Sequence, residues 1–181
     1  MDYGKIREMK GDTILSPSVP RLGVRISPIY IYLGNLQYLD CGSQQVEEFI
    51  YLCPNSIGHV TRLLLVRFQG FLENSAGIYE YMSPQKKQID NQDFAYEIEY
   101  FDLQDYLNES PDADIAHAAD YIRQRSYTLA GDMVYQRFQR IVSDDNRRQF
   151  LIFYLEQGED PSTTPTEDLF QRAMESFTIV H

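Results

Sequence analysis

Residues that could do chemistry are few in this chain and lie far apart. The three histidines, His59, His117 and His181, include no pair with metal-ligand spacing such as HExxH. Neither a CxxC pair nor a GxSxG nucleophile elbow occurs, and Ser43 or Cys41 alone does not support a nucleophile. The sequence therefore predicts no catalytic residue, no metal and no cofactor, and an enzyme is the last of three function hypotheses.

One stretch combines carboxylates with an imidazole. Asp112, Asp114, His117 and Asp120 fall on adjacent turns if a helix begins at Pro111. The run Ser-Pro-Asp is typical of a helix start, with an N-cap, an N1 proline and a first-turn acid. Because the helix dipole favours acids in the first turn, helix formation explains Asp112 and Asp114 better than metal binding does.

The tyrosines give a second hypothesis, a small-molecule pocket between a sheet and helices. The chain has fourteen Tyr and ten Phe but no Trp. Tyrosine hydroxyls that line a concave sheet leave an apolar cavity with a few polar points, although the rings can also simply fill the core. Arg62 and Arg67 lie on the most apolar strand, and three interpretations are open for them. One arginine pairs with a buried acid, or it meets a ligand carboxylate, or each extends its charged end to solvent. The candidate residues for a small hydrophobic or aromatic ligand are Arg62, Arg67, Tyr79, Tyr81, Tyr96 and Tyr100.

Charge is unevenly distributed and gives the first hypothesis, a non-catalytic interaction protein. The formal net charge is -11, and residues 88–122 contain ten acids and no Lys or Arg. Such a surface repels phosphate backbones and anionic lipids, so we expect neither nucleic-acid nor membrane binding. It attracts a basic protein partner, unless the acids serve only solubility. Self-association as a homodimer is the other form of this hypothesis.

Length and composition predict a single cytoplasmic domain. The chain has 181 residues, of which 43% are hydrophobic and 24% charged, as in ordinary soluble proteins. No run approaches 18 apolar residues, and the first residues lack the apolar core of a signal peptide. We expect Cys41 and Cys53 to be free thiols.

Apolar runs and turn signals predict six or seven strands. The longest apolar region, 44–72, is divided by a turn at Pro54-Asn55 into a central hairpin. Both parities are apolar in its second strand, so either both sheet faces are covered or a bulge between Leu65 and Val66 exchanges the inward set. The other predicted strands are 24–33 and 36–41, joined by a type II′ turn at Gly34-Asn35, then 78–82, 93–101 and an interior strand at 150–155.

The hydrophobic period changes from two to 3.6 after residue 101. Helices are predicted over 102–109, from Pro111, and from Asp132, where apolar residues recur at i, i+4 and i+7. A linker, 161–165, precedes a C-terminal amphipathic helix capped by Thr166. Its apolar face packs on the same chain or docks a partner subunit. The candidate partner-binding residues are Leu169, Phe170, Ala173, Met174 and Phe177.

These elements predict an α+β fold. Six or seven strands form a curved antiparallel sheet, a meander, since consecutive strands tend to be neighbours. Helices from the second half pack on one sheet face. The predicted organisation is an extended N-terminal arm, 1–23, an α+β domain, 24–158, and the linker with its C-terminal helix, 159–181.

Overall fold

The computed structural model describes residues 7–158 and 164–181, which form eleven strands and three helices. In chain order these are β1 (Glu8–Lys10), β2 (Thr13–Ser16), β3 (Leu22–Ile26), β4 (Ile31–Asp40), β5 (Gln44–Pro54), β6 (Val60–Phe71), β7 (Lys86–Ile89), β8 (Gln92–Asp102), α1 (Leu103–Glu109), α2 (Ala116–Gln124), β9 (Asp132–Ile141), β10 (Arg148–Gln157), α3 (Thr166–Met174) and β11 (Phe177–Val180).

The strands form two antiparallel sheets, which confirms the predicted α+β class. The large sheet has seven strands in the order β4-β5-β6-β10-β9-β8-β7, and the small sheet has four in the order β1-β2-β3-β11. The large sheet thus joins two meanders, because β10 returns to pair with β6. The prediction of an interior strand at 150–155 is confirmed, since β10 lies between β6 and β9 and is buried on both faces.

Both faces of the large sheet are covered. One face packs against the small sheet and α3 through Phe68, Phe138 and Phe150. The other packs against α1 and α2 through Leu65 and Phe153. This explains why β6 is apolar on both parities. The β6 register passes through Leu65 and Val66 without a shift, so the alternative of a bulge there was wrong.

The predicted type II′ turn at Gly34-Asn35 was wrong. β4 runs unbroken through these residues, and the hairpin turns at Cys41-Gly42, where both residues have positive φ (47° and 66°). That pair of conformations defines a type I′ turn. Gly34 has a different reason to be glycine, because a Cβ there would overlap the ring and hydroxyl of Tyr121 on α2.

The helix predicted from Asp132 was also wrong, since this segment is the strand β9. Val134 and Phe138 are four residues apart, which suits one helix face but also one strand face, because four is an even number. Met133 and Tyr135 face α1 and α2, while Phe138 faces the small sheet. A strand buried on both sides thus imitated a helical pattern.

Two further boundaries differ from the prediction. α2 begins at Ala116 rather than Pro111, so Asp112 and Asp114 precede the helix. The predicted strand 78–82 is irregular backbone. The turn at residues 72–75, which precedes this irregular segment, is fixed by Arg147. Its side chain donates to the carbonyl oxygens of Leu72 at 2.6 Å and Ser75 at 2.8 Å.

The small sheet uses segments that the sequence predicted as an arm and a helix. β1 and β2 lie within 1–23, and β3 pairs with β11, which contains Phe177. α3 ends at Met174, and Pro165, not Thr166, occupies its N-cap position without a side-chain cap bond. Residues 1–6 of the predicted arm and 161–163 of the predicted linker lie outside the described residues.

The cysteines and the helix lengths are the last features of the fold. Cys41 and Cys53 are free, as predicted. Within 7–158 and 164–181, no helix has the length and apolar character needed to cross a membrane.

Candidate partner-binding edge

Arg67, one of the two arginines predicted to pair with an acid or meet a ligand, is held by an ion-pair network inside the chain. Only 2% of its side chain is exposed. Its Nε donates to Glu48 Oε1 and its Nη1 to Asp114 Oδ1, both at 2.8 Å. Its Cζ lies 4.7 Å from the centre of the Phe153 ring. The chain's own acids therefore satisfy this guanidinium.

The same network extends across the sheet to β8. Arg137 Nη2 lies 2.6 Å from Glu97 Oε2, and Arg137 Nη1 lies 3.3 Å from Asp114 Oδ2. Asp114 thus bridges two arginines, which explains its place before α2. Burial acts to lower the pKa of Arg67, but Glu48 and other neighbours outweigh burial and raise it. Burial raises the pKa of the Glu48 carboxyl, and the Arg67 charge limits that rise.

The candidate tyrosines are not brought into one pocket. Tyr79 is buried and belongs to the segment that connects β6 to β7 in the sequence. Its hydroxyl donates to Gln44 Oε1 at 2.9 Å on the helix-covered face of the large sheet. Tyr96 is buried on the opposite face, where its ring meets Phe170 and its hydroxyl donates to Gln136 Oε1 at 3.0 Å. The sheet itself therefore separates these two rings.

The other candidate ligand residues also lie apart from each other. Tyr81 is largely exposed, and its hydroxyl accepts a bond from the Ile141 amide at 3.4 Å. Tyr100 is partly exposed at the far end of β8. Arg62 is half-buried on β6, opposite Glu156.

The candidate partner-binding residues of the C-terminal segment are covered by the chain itself. Four of them are buried and the fifth, Met174, packs against the same core. The buried four are Leu169, Phe170, Ala173 and Phe177. This face of α3 therefore serves the fold and is not presented to solvent.

A chain of four glutamines crosses the large sheet on its helix-covered face, and sequence reasoning missed it. Gln69 donates to Gln44 at 2.6 Å, Gln149 donates to Gln69 at 3.1 Å, and Gln139 donates to Gln149 at 2.8 Å. Tyr79 and Gln139 also fix the segment between β6 and β7 on the sheet. The signal was present as glutamines at equivalent positions, but it is readable only once strand order is known.

The surface feature that stands out is β4, the ten-residue strand at one edge of the large sheet. Its exposed apolar side chains include Ile31 (47% exposed), Tyr32 (43%) and Leu39 (52%). A register shift lies between Tyr32 and Gly34, and pairing with β5 is regular from there to Asp40. An edge strand presents unpaired backbone N–H and C=O groups. Seven consecutive residues are thus regular enough to pair with another strand.

The opposite edge, β7, provides an internal comparison. Natural proteins protect sheet edges with short strands and with lysines. β7 has four residues and contains Lys86 and Lys87. β4 is ten residues long, contains no Lys or Arg, and carries a single charge at its end, Asp40. β4 therefore lacks the protection that β7 has.

Two clefts flank β4, one on each sheet face. The first, about 410 Å³, lies between β4 and β1 and is lined by Glu8, Met9 and Tyr32. The second, about 260 Å³, lies between β4 and α2 and is lined by His117, Asp120 and other residues of both elements. Because side chains alternate faces along a strand, a strand added at β4 would extend side chains into both clefts.

Aromatic contacts hold the walls of these clefts. The Tyr32 ring lies 5.1 Å from the Tyr51 ring, and the Tyr38 ring lies 4.1 Å from the His117 ring. Burial raises the pKa of the Tyr38 hydroxyl. The contact between Tyr38 and His117 holds α2 against β4.

The charges around the edge are mainly acidic, although one of the acids, Asp120, also pairs with Arg123 at 3.7 Å on the surface. Glu8 lines one cleft and Asp120 the other, and Asp40 ends the strand. The arginine that lines the first cleft, Arg7, forms an ion pair with Glu47 at 2.8 Å and is thereby neutralised.

Comparisons with protein-family models, with curated proteins and with solved structures gave no match. Among the described residues, no three His, Cys, Asp or Glu side chains are placed to hold a metal ion. The function of this chain must therefore be inferred from its own geometry.

Proposed function

We propose that this protein is an interaction module that binds an extended, basic segment of another protein by adding it as a strand at β4. The observation that carries the proposal is the long edge strand β4, which contains no Lys or Arg and has a cleft on each face. Backbone hydrogen bonds would supply affinity, and side chains entering the two clefts would supply specificity.

The charges select the kind of partner. Glu8, Asp40 and Asp120 surround the edge, so Lys or Arg side chains on the added strand would be attracted on both sheet faces. A second copy of the chain would bring the same acids against each other, and its net charge of -11 adds general repulsion. We therefore favour a basic partner over a homodimer.

The test uses the full-length, ¹⁵N-labelled protein and a decapeptide of alternating Lys and Val. We expect the peptide to slow hydrogen exchange of the β4 amides that face outward, because those groups become hydrogen-bonded. A matched Glu-Val decapeptide should bind more weakly, because the acidic rim repels it. The double variant Ile31→Lys/Leu39→Lys should weaken binding by about tenfold or more, since it removes apolar contact and adds edge lysines.

Met82→Lys is the matched control, because Met82 is also an exposed apolar residue, with 67% of its surface exposed, and lies next to β9 instead of β4. This variant should bind the Lys-Val peptide like the unmodified chain. Unchanged exchange of the β4 amides with the Lys-Val peptide would refute the proposal. Protection of β4 in the protein alone, together with a dimer in a native mass spectrum, would instead assign the edge to a second copy.

A further inference from the structure

A third cleft, of about 120 Å³, opens on the sheet face that packs against the small sheet. Gly70 of β6 contributes to its floor, and Arg148 of β10 is the register partner of Gly70. A Cβ at Gly70 would meet the Arg148 side chain at 3.5 Å, an ordinary van der Waals contact, so a small side chain would fit there without displacing its neighbours. Arg7, Glu47 and Phe68 are among the other residues that line this cleft.

The Arg7 side chain in this cleft is buried and only partly satisfied by hydrogen bonds. Its side chain is only 8% exposed, its Nη1 lies 2.8 Å from Glu47 Oε2, and its Cζ lies 3.8 Å from the Phe68 ring centre. Its Nε is buried and has no hydrogen-bond partner within 7–158 and 164–181. A buried guanidinium N–H without an acceptor is costly, because it has lost water and gained nothing in exchange.

The cleft also has one positive charge too many. Glu47 neutralises Arg7, whereas Arg148 has no ion pair among the described residues. Burial lowers the pKa of Arg7, Glu47 acts against that change, and the Arg148 charge lowers it further. The two guanidinium groups therefore repel each other, and one more anion would relieve that repulsion.

We propose that this cleft binds one small oxyanion, a carboxylate or a phosphate group, between Arg7 and Arg148. Guanidinium groups match both oxyanions, since their N–H groups pair with two oxygens at once. This cleft, about 120 Å³, is smaller than either β4 cleft, which suits a single group of this size. Arg7 and Glu47 also line the cleft between β4 and β1, so the two sites are neighbours. Arg148 and Gly70 line neither β4 cleft, so substitutions there test the anion site separately from strand addition.

The test titrates the full chain, ¹⁵N-labelled, with inorganic phosphate and separately with sodium acetate, at constant ionic strength. We expect saturable shifts of the arginine Nε–Hε signals and of the Gly70 amide. Saturation by phosphate alone, by acetate alone or by both supports the proposal and shows which oxyanion the cleft takes. Arg148→Gln and Gly70→Val should each weaken binding by about tenfold, by removing a charged donor or filling the floor.

Arg25→Gln is the matched control, because Arg25 is an exposed arginine of β3 that does not line this cleft. It should leave both titrations unchanged. Arg148 is exposed, so its substitution keeps the test valid even if Gly70→Val does not fold. The proposal fails if neither anion gives saturable shifts, or if Arg148→Gln binds as tightly as the unmodified chain.

Discussion

Arg67 lies on the most apolar strand of the chain, where a charge needs a partner. Its side chain is buried and is held by Glu48 from β5 and by Asp114 from the segment before α2. Removing one member of a buried pair leaves the other charge without compensation. Replacing both members by apolar residues avoids that cost.

We therefore predict that Arg67→Met lowers the free energy of unfolding by about 3–5 kcal/mol, because Glu48 then remains buried and unpaired. The double variant Arg67→Met/Glu48→Leu should recover much of this loss. Urea denaturation of both variants measures the difference.

Arg123→Ala is the comparison for this prediction, since Arg123 pairs with Asp120 on the surface. Its cost should be about 1 kcal/mol or less. Unchanged stability of Arg67→Met would mean that the guanidinium is not part of the fold, and the alternative of a ligand carboxylate would return.

The sequence carried only half of this network. Arg67 could be singled out, because an arginine on an apolar strand needs an explanation. Its partners could not, because Glu48 and Asp114 become neighbours of Arg67 only through strand pairing and the position of α2. The Asp114 carboxylate was attributed to a helix dipole, whereas the structure places it between two arginines.

At the scale of elements, local patterns were sufficient where they were unambiguous. β8 follows the predicted 93–101 strand, since apolar and polar residues alternate there. α1 was predicted from residue 102, and Asp102 indeed caps it by accepting bonds from the Gln104 and Asp105 amides. β9 was mistaken for a helix because burial on both faces removes the alternation that identifies a strand.

α3 is fixed on the large sheet by an exposed ion pair as well as by its apolar face. Lys87 Nζ of β7 lies 2.7 Å from Glu167 Oε2 and 4.5 Å from the centre of the Phe170 ring. The hydrogen bonds from Lys87 and then Gln171 lower the pKa of Glu167.

This contact predicts a specific pH dependence. A carboxyl whose folded pKa is lowered stabilises the fold above its unfolded pKa of about 4.3, and that contribution disappears as pH falls through the folded pKa. An NMR titration should therefore show a higher pKa for Glu167 in Lys87→Met than in the unmodified chain. Lys86→Met is the control, because Lys86 is the exposed neighbour on the same strand. An equal pKa of Glu167 in the unmodified chain and in both variants would contradict the ion pair between Lys87 and Glu167.

At the scale of the molecule, the edge and the small sheet depend on contacts between distant segments. An edge strand is defined by the neighbour that it lacks, so no pattern within 31–40 distinguishes β4 from an interior strand. The small sheet pairs β3 with β11, and one hundred and fifty residues separate these strands in the sequence. Segments 7–26 and 177–180 are too short to indicate this partnership by themselves.

The C-terminal segment should consequently be essential to the fold. α3 and β11 bury Leu169, Phe170, Phe177 and Ile179, and β11 completes the small sheet. We predict that a chain ending at Gly158 has no cooperative thermal transition and a larger hydrodynamic radius than the full chain, because one face of the large sheet loses its cover. A chain lacking only His181 should unfold like the full-length protein. A folded monomer from the chain ending at Gly158 would contradict this prediction. It would mean that α3 and β11 are not part of the core and are free to bind a partner. The C-terminal segment, and not β4, would then be the favoured interaction surface.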